Sequence, residues 1–151
     1  MPPSTRLNNL FTFVTCVITV VYRLRGTKWR AVMNDVILLI DKDPAVIEII
    51  SLLLEEQGYR CVIAAKPFSI AQVYELMPKL VVLHNGLDGL GGQICRELKA
   101  SKELRDIPVL MSSTRADIAE LASSCGAEAW IAKPFDIDNF CALADSMLKV
   151  K

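Results

Sequence analysis

Four groups of polar residues that could do chemistry each follow a short apolar run. The groups are Asp41-Lys42-Asp43, His84-Asn85, Ser112-Ser113-Thr114 and Lys133-Pro134-Phe135. Runs that are apolar on both faces are typical of strands inside a parallel sheet. The carboxyl ends of such strands meet at one edge, where open α/β sheets hold their working sites. The sequence therefore predicts that carboxylate, imidazole, hydroxyl and ammonium groups gather at this edge.

The imidazole and the hydroxyl each have two interpretations. His84 could accept a phosphoryl group on a ring nitrogen, but a single histidine at a strand end is more often a hydrogen-bonded structural residue. Ser113 could bind an anion, but hydroxyls at strand ends commonly bond to nearby backbone. For both residues we favour the structural interpretation.

The two lysines could neutralise acids at the same edge. Lys42 could pair with Asp41 or Asp43, or it could extend into solvent, and the sequence does not choose between these. Lys133 could pair with Asp41 across the edge. As a Lys-Pro step it is also a candidate for a cis peptide bond, although X-Pro bonds are mostly trans.

Five strands alternating with five helices must position these groups. Asp43 can cap the first helix, Pro44 can open it and Gly58 can end it with positive φ. Right-handed crossovers would put helices on both faces of a doubly wound α/β domain with a five-stranded parallel sheet. The predicted strands are 36–40, 59–64, 80–83, 108–111 and 129–132, and the predicted buried stripe of the first helix is Val46, Ile49, Ile50, Leu53 and Leu54.

Composition excludes several classes of function. Of the 17 basic and 17 acidic residues, residues 1–32 hold five basic and no acidic ones, so the remainder has 12 against 17, a net charge of −5. An acidic body without a basic stripe argues against nucleic acid as a ligand. The five cysteines (Cys16, Cys61, Cys95, Cys125 and Cys141) lack metal-ligand spacing, which favours a reducing cytoplasm and no zinc site or disulfide framework.

Residues 1–32 are interpreted as an extension before a single domain at 33–151. The apolar segment Leu10–Tyr22 has 13 residues, whereas a spanning helix needs about 20, so we do not expect it to cross a bilayer. Residues 10–30 could instead form a basic membrane-surface anchor. Alternatively the extension does not belong to the natural protein, and Met33 is the true start.

Several longer motifs resemble a known family. They are ILLIDKDPAVIEII, LVVLHNGLDGLGGQICRELK, IPVLMSST and GAEAWIAKPF. Over residues 36–149 the chain is similar to the receiver domain of bacterial two-component response regulators. This resemblance implies a flavodoxin-like (βα)5 fold with the strand order 2-1-3-4-5, and it favours a cis Lys133-Pro134 bond.

The resemblance also implies a pocket in which two acids have been replaced. The family uses an acidic pair after strand one and an aspartate after strand three to bind Mg²⁺, and the latter aspartate is phosphorylated. Here Asp41 is the only acid left of the three, Lys42 stands at the second position and His84 at the phosphoacceptor. Ser113 and Lys133 match the phosphate-sensing hydroxyl and lysine. Because Mg²⁺ takes oxygen ligands, we expect no metal, no cofactor and a pseudo-receiver.

The glycine-rich loop after His84 does not alter these expectations. Asp88 could contribute only weakly to restoring a metal site. The loop also lacks the Lys-Ser/Thr ending of a phosphate-binding loop, so we do not expect it to bind a nucleotide.

The implied function is a non-enzymatic, stand-alone cytoplasmic signalling module that binds proteins without phosphorylation. Its partner would be a histidine kinase or a separate effector, because the chain ends at Lys151 without an effector domain. The contact face would be the fourth helix, fifth strand and fifth helix, with Trp130 at the family's aromatic switch position, and a homodimer could use the same face. Two alternatives are a receiver still phosphorylated at His84 or a nearby acid, and a membrane-tethered adaptor through residues 10–30.

Overall fold

The computed structural model describes residues 36–86 and 89–149. The interpretations of residues 1–32, of Met33 and of Asp88 concern residues outside these ranges. Asp35–Lys151 form a compact unit of their own. In the part of the chain that is described, no helix is long and apolar enough to cross a membrane.

Strands and helices alternate along the described chain as the sequence predicts. The strands are β1 (Val36–Ile40), β2 (Arg60–Ile63), β3 (Leu80–His84), β4 (Val109–Ser113) and β5 (Ala129–Ala132). The helices are α1 (Pro44–Glu56), α2 (Ala71–Leu76), α3 (Leu90–Ala100), α4 (Ile118–Cys125) and α5 (Ile137–Lys149).

All strand pairs are parallel, and the sheet order is β2-β1-β3-β4-β5. Alternate residues of β1, β2, β3 and β4 enter two separate cores, whereas Ala129 and Ile131 of β5 belong to one of them. Leu38, Leu83 and Met111 pack in a cluster with α3 and α4, whereas Ile37 and Leu110 pack with α1 and α5. The prediction of a doubly wound α/β domain with helices on both faces is confirmed.

The first helix begins and ends as its sequence indicates, but its buried stripe is narrower. The Asp43 carboxylate accepts a hydrogen bond from the Ala45 N–H at 3.0 Å, and Gly58 has a φ of +90° after the last turn. Ile50 and Leu54 are buried, but Ile49 is 46% exposed, so its predicted burial is wrong. The reason is helix geometry, because Ile49 lies about 100° around the helix from Ile50 and about 140° from Leu54.

Two strands extend further than predicted, and this places two of the polar groups within the sheet. β3 includes His84 and β4 includes Ser112 and Ser113, since the ladder pairs His84 with Ser112. Their positions at the carboxyl edge are therefore fixed by strand hydrogen bonds, not by loops.

A network of polar contacts lies at the amino ends of the strands, opposite the carboxyl edge. The Lys99 ammonium donates to the Arg105 and Ile107 carbonyls at 3.0 and 2.8 Å and to Glu128 Oε1 at 2.5 Å. The other oxygen of Glu128 accepts from the Val109 N–H at 2.7 Å. This network joins α3 to the starts of β4 and β5. Hydrogen bonds therefore hold these two strands in register at both of their ends.

Candidate functional site

The carboxyl ends of β1 and β5 are joined by a buried ion pair. Lys133 Nζ lies 2.6 Å from Asp41 Oδ2, and the two side chains are only 10% and 8% exposed. Asp41 Oδ1 accepts from the backbone N–H groups of Lys42 at 2.7 Å and Asp43 at 3.0 Å. Both oxygens of the Asp41 carboxylate thus accept hydrogen bonds from other groups of this protein. The pairing of Lys133 with Asp41 was one of the sequence-based possibilities.

The backbone around Lys133 holds its ammonium in this position. The Lys133 N–H donates to the Ser113 carbonyl at 2.8 Å, and the Lys133-Pro134 bond is cis, as the resemblance favours.

The surroundings of Asp41 stabilise its charged form. Burial acts to raise the pKa of the Asp41 carboxyl, but the hydrogen bond from Lys133, the Asp43 N–H and the charge of Lys133 together outweigh burial. The pKa of Asp41 therefore lies below its ordinary value, and this carboxylate is ionised at neutral pH.

His84 lies beside this pair, at the end of β3. Its Nδ1 is buried and has no hydrogen-bond partner, and the same is true of Oγ of Ser112, its register partner on β4. Burial lowers the pKa of His84, and the positive charges of Lys133 and Lys42 add to this effect. The charge of Asp41 acts in the opposite direction but does not outweigh these effects. The imidazole is therefore neutral at pH 7.

The lowered pKa of His84 predicts that the protein loses stability on mild acidification. Its ordinary pKa is 6.5, so as pH falls below about 6.5 the unfolded chain binds a proton that the folded chain resists. We expect the free energy of unfolding to fall by at most about 1.4 kcal/mol per pH unit until the folded-state pKa is reached. Urea unfolding of the wild type and of His84→Asn as control checks this difference. Because the chain has one histidine, its NMR titration is unambiguous, and a pKa at or above 6.5 would contradict the prediction.

The hydroxyl of Ser113 is used within the backbone, which agrees with the structural interpretation. Its Oγ donates to the Asn85 carbonyl at 2.9 Å and accepts from the Arg115 N–H at 3.1 Å. Asn85 is itself buried, and its side-chain oxygen accepts from the Gly92 N–H at 3.2 Å. Asn85 thus links the end of β3 to the first turn of α3, a role that the sequence analysis did not recognise.

A cavity of about 220 Å³ opens at this edge of the sheet. Its lining combines polar groups with apolar walls: Ile40, Asp41, Lys42, Lys66, Phe68, His84, Gly86, Leu90, Gly91 and Ile94. Lys42 is exposed and reaches the cavity, and Trp130 is not among the lining residues. A Cβ on Gly91 would lie 2.7 Å from Asn85 Cα and 2.8 Å from the His84 carbonyl oxygen. The absence of a side chain at Gly91 therefore lets the start of α3 pack closely against the backbone at the end of β3.

Lys66 is a cavity residue that sequence reasoning missed. It stands in the loop after β2, next to a second cis bond at Pro67. The Gln72 side chain fixes this loop, because its Oε1 accepts from the Ala65 N–H at 2.9 Å and its Nε2 donates to the Ala65 carbonyl at 3.3 Å. The only sequence signal was a lysine before a proline, which is typical of any solvated loop.

Trp130 lies away from the pocket, on the outer side of β5. Its side chain is 46% exposed, as is that of Ile137 at the start of α5. Each of these two large apolar residues is therefore partly open to solvent.

The strand order and the polar edge define a flavodoxin-like domain, and comparisons with known proteins agree. The sequence profile described as "Response regulator receiver domain" matches residues 37–145. The signal receiver domain of a DNA binding response regulator from Colwellia psychrerythraea 34H superimposes with a TM-score of 0.69 at 21% identity, covering 78% of this chain and all of that one. At this identity the superposition shows the fold alone.

Two curated relatives are 32% identical to the chain. One is the DNA-binding dual master transcriptional regulator RpaA of a Synechocystis species, matched over 75% of this chain and 48% of its own length. The other is the DNA-binding response regulator MtrA of Mycolicibacterium smegmatis, matched over 78% of this chain and 52% of its own length. The chain thus spans about half the length of these relatives. It belongs to the response regulator receiver domain family of two-component signalling.

Proposed function

We propose that this receiver domain signals by binding a protein partner without aspartyl phosphorylation. The observation that carries the proposal is the pairing of the Asp41 carboxylate within the chain, since its two oxygens accept from Lys133 and from two backbone N–H groups. The family's second acid and its phosphoacceptor are replaced by Lys42 and His84. A pocket of this composition has no carboxylate placed to accept a phosphoryl group among the residues that line it.

The donor set does not suit Mg²⁺. This ion takes near-octahedral oxygen ligands and usually needs carboxylates. Here one carboxylate is neutralised by an ammonium at 2.6 Å, and the neighbouring groups are an imidazole and a second ammonium. Among residues 36–86 and 89–149 no three His, Cys, Asp or Glu side chains are grouped as metal ligands would be. We infer that no divalent metal supports phosphoryl transfer in this chain.

The contact surface that we propose is the face of α4, β5 and α5. Trp130 and Ile137 expose 46% of their side chains there, and aromatic residues contribute strongly to protein interfaces. A histidine kinase or a separate effector is the partner of this face, and a second copy of the chain is the alternative occupant.

Treatment with a small phosphodonor tests the chemistry. The purified chain is incubated with phosphoramidate and Mg²⁺ and its intact mass is measured. We expect no added phosphoryl group. An acid-labile adduct that His84→Ala removes would support phosphorylation on the imidazole, and a hydroxylamine-sensitive adduct on any carboxylate of the pocket would also refute the proposal.

Substitution of one exposed residue tests the contact surface. Trp130→Lys should abolish cross-linking of the chain to its partner, whereas Leu52→Lys, at a 58% exposed position on α1, should leave it intact. Truncating a buried interface aromatic typically costs 2 kcal/mol or more, which is about a 30-fold loss of affinity. Equal cross-linking by both variants would place the contact elsewhere.

A further inference from the structure

β2 lies at an edge of the sheet with backbone groups free to pair. It is hydrogen-bonded to β1 on one side, and within residues 36–86 and 89–149 no strand lies on its other side. The Ala64 N–H donates to the Leu39 carbonyl at 2.9 Å, so the alternating backbone groups of Cys61 and Ile63 point away from β1. Such a row of N–H and C=O groups is a template for pairing with a further strand.

A groove of about 620 Å³ lies beside this edge, between α1 and β2. Its apolar lining includes Ile47 and Leu52 of α1 and Cys61 and Ile63 of β2. Leu52 is 58% exposed and Ile63 is 54% exposed, which is more than the 46% of Trp130. A partner that covers this α1–β2 groove removes apolar surface from water, which favours association.

The two ends of the α1–β2 groove have opposite charges. Glu55 lies in the last turn of α1, and burial together with its charge raises the pKa of the Cys61 thiol near the start of β2 to about 11. Lys66 lines the groove beyond the carboxyl end of β2. Among the residues that the structure describes, neither Glu55 nor Lys66 has an ion-pair partner. Both charges are therefore available to a group outside the domain.

We propose that a second copy of this chain covers the α1–β2 groove, with the two β2 strands paired antiparallel across a two-fold axis. Cys61 of each copy then lies opposite Ile63 of the other, and both side chains stay on the face of α1. Antiparallel strands bring the start of one beside the end of the other, so Glu55 of each copy meets Lys66 of the other. A two-fold interface requires a patch that complements itself in this way.

The remaining charges near β2 are compatible with this dimer. Successive side chains of a strand point to opposite faces, and Val62 packs in the core on the side of α3 and α4. Arg60 shares the face of Val62 and does not line the groove. Lys42 and Glu48 do line it, but they have opposite charges and the proposed pairing does not use them. Binding of a different protein at the face of α4, β5 and α5 is independent of this dimer, so either can fail alone.

Sedimentation equilibrium of the full chain tests for the dimer. We expect the average mass to rise from monomer towards dimer between about 1 and 500 µM protein. Because the paired strands have only four residues each, the interface is small and we expect a dissociation constant on the order of 100 µM.

Charge reversal tests the two-fold arrangement. Glu55→Lys and Lys66→Glu should each weaken association at least about 10-fold, since each puts like charges into both contacts. An equimolar mixture of these two variants should associate about as tightly as the wild type, because both contacts between unlike copies then join opposite charges. Glu103→Lys, at an exposed acid in the loop after α3, makes the same change in net charge and should leave association unchanged.

A lysine on the strand tests the edge itself. Ile63→Lys should prevent association, since a charged side chain blocks the pairing of edge strands. Met77→Lys, at a 51% exposed position at the end of α2, should not. Hydrogen exchange of the β3 and β4 amides shows that each variant is folded. In the wild type the N–H groups of Cys61 and Ile63 should exchange more slowly as the protein concentration rises.

Four results would overturn the proposal. The first is a chain that stays monomeric at every concentration, and the second is a mixture of Glu55→Lys and Lys66→Glu that associates no more tightly than either alone. The third is a dimer that Trp130→Lys dissociates and Ile63→Lys does not, which would place the contact at β5. The fourth is protection of the Cys61 and Ile63 amides in a monomer, which would assign the groove to a segment of the same chain.

Discussion

Replacing Lys133 with methionine is expected to lower the free energy of unfolding by about 3 kcal/mol, because it leaves the buried Asp41 charge without its partner. The two side chains are 8% and 10% exposed, so water can compensate only in part for the missing ammonium. The backbone N–H groups of Lys42 and Asp43 still hydrogen-bond Asp41, and they keep the loss from being larger. Urea unfolding followed by circular dichroism measures the difference.

A surface pair in the same chain is the matched control. Lys149 pairs with Asp145 at 2.5 Å one turn away on α5, but its side chain is 72% exposed. Exposed pairs of this kind contribute about 0–1 kcal/mol, so Lys149→Met should cost far less. The double variant Asp41→Asn with Lys133→Met should recover most of the stability, since no buried charge remains. Equal losses for Lys133→Met and Lys149→Met would contradict the prediction.

The contribution of the pair should also depend on pH with a defined sign. The pKa of Asp41 is lowered from 3.8 in the folded protein. The stabilisation is therefore complete above about pH 4–5 and is lost as pH falls through the lower folded-state pKa. In Lys133→Met, burial raises the pKa of Asp41 without the opposing effect of the ammonium, so this carboxyl takes up a proton at a higher pH than in the wild type. The difference between wild type and Lys133→Met should therefore begin to shrink as pH falls through the raised pKa of the variant. A difference that does not change between about pH 7 and 3 would show that Asp41 is not the group that pairs with Lys133.

Placing acids at positions 42 and 84 is expected to create a Mg²⁺ site in the pocket for which we propose that the natural chain binds no metal. The double variant Lys42→Asp with His84→Asp would place two carboxylates next to Asp41 at the ends of β1 and β3. Three carboxylates repel one another strongly, so the variant should be less stable in EDTA and should gain stability with Mg²⁺. Once the metal neutralises the pocket, phosphoramidate should add one phosphoryl group to Asp at position 84.

Calorimetry is the appropriate measurement for this variant. Trp130 does not line the cavity, so its fluorescence is a poor reporter of metal binding. Saturable heat with Mg²⁺ in the double variant, none in the natural chain, and loss of that heat on adding Asp41→Asn is the expected set of results. A silent titration of the double variant would show that Lys42 and His84 do not stand at the family's acidic positions.

Residue periodicity allowed the fold and most of the polar edge to be predicted. Five short apolar runs separated by amphipathic helices gave the parallel sheet, and the cap at Asp43 and the turn at Gly58 set the bounds of α1. The same reasoning failed for Ile49, which has helical spacing with Val46 and Leu53 but is 46% exposed. Spacing defines an apolar face, but the packing of the helix decides how much of that face is covered.

The sequence by itself determined which chemical groups meet at the carboxyl edge, because each polar group follows a strand in the chain. Tertiary structure decided which of them touch. Asp41 and Lys133 are 92 positions apart, and β3 and β4 lie between β1 and β5 in the sheet. The ion pair therefore depends on the long lysine side chain, which extends across the carboxyl edge from the residue after β5. Lys66 reaches the cavity because the Gln72 side chain holds its loop over the edge. Contacts of this kind depend on register and sheet twist, which no local pattern of residues encodes.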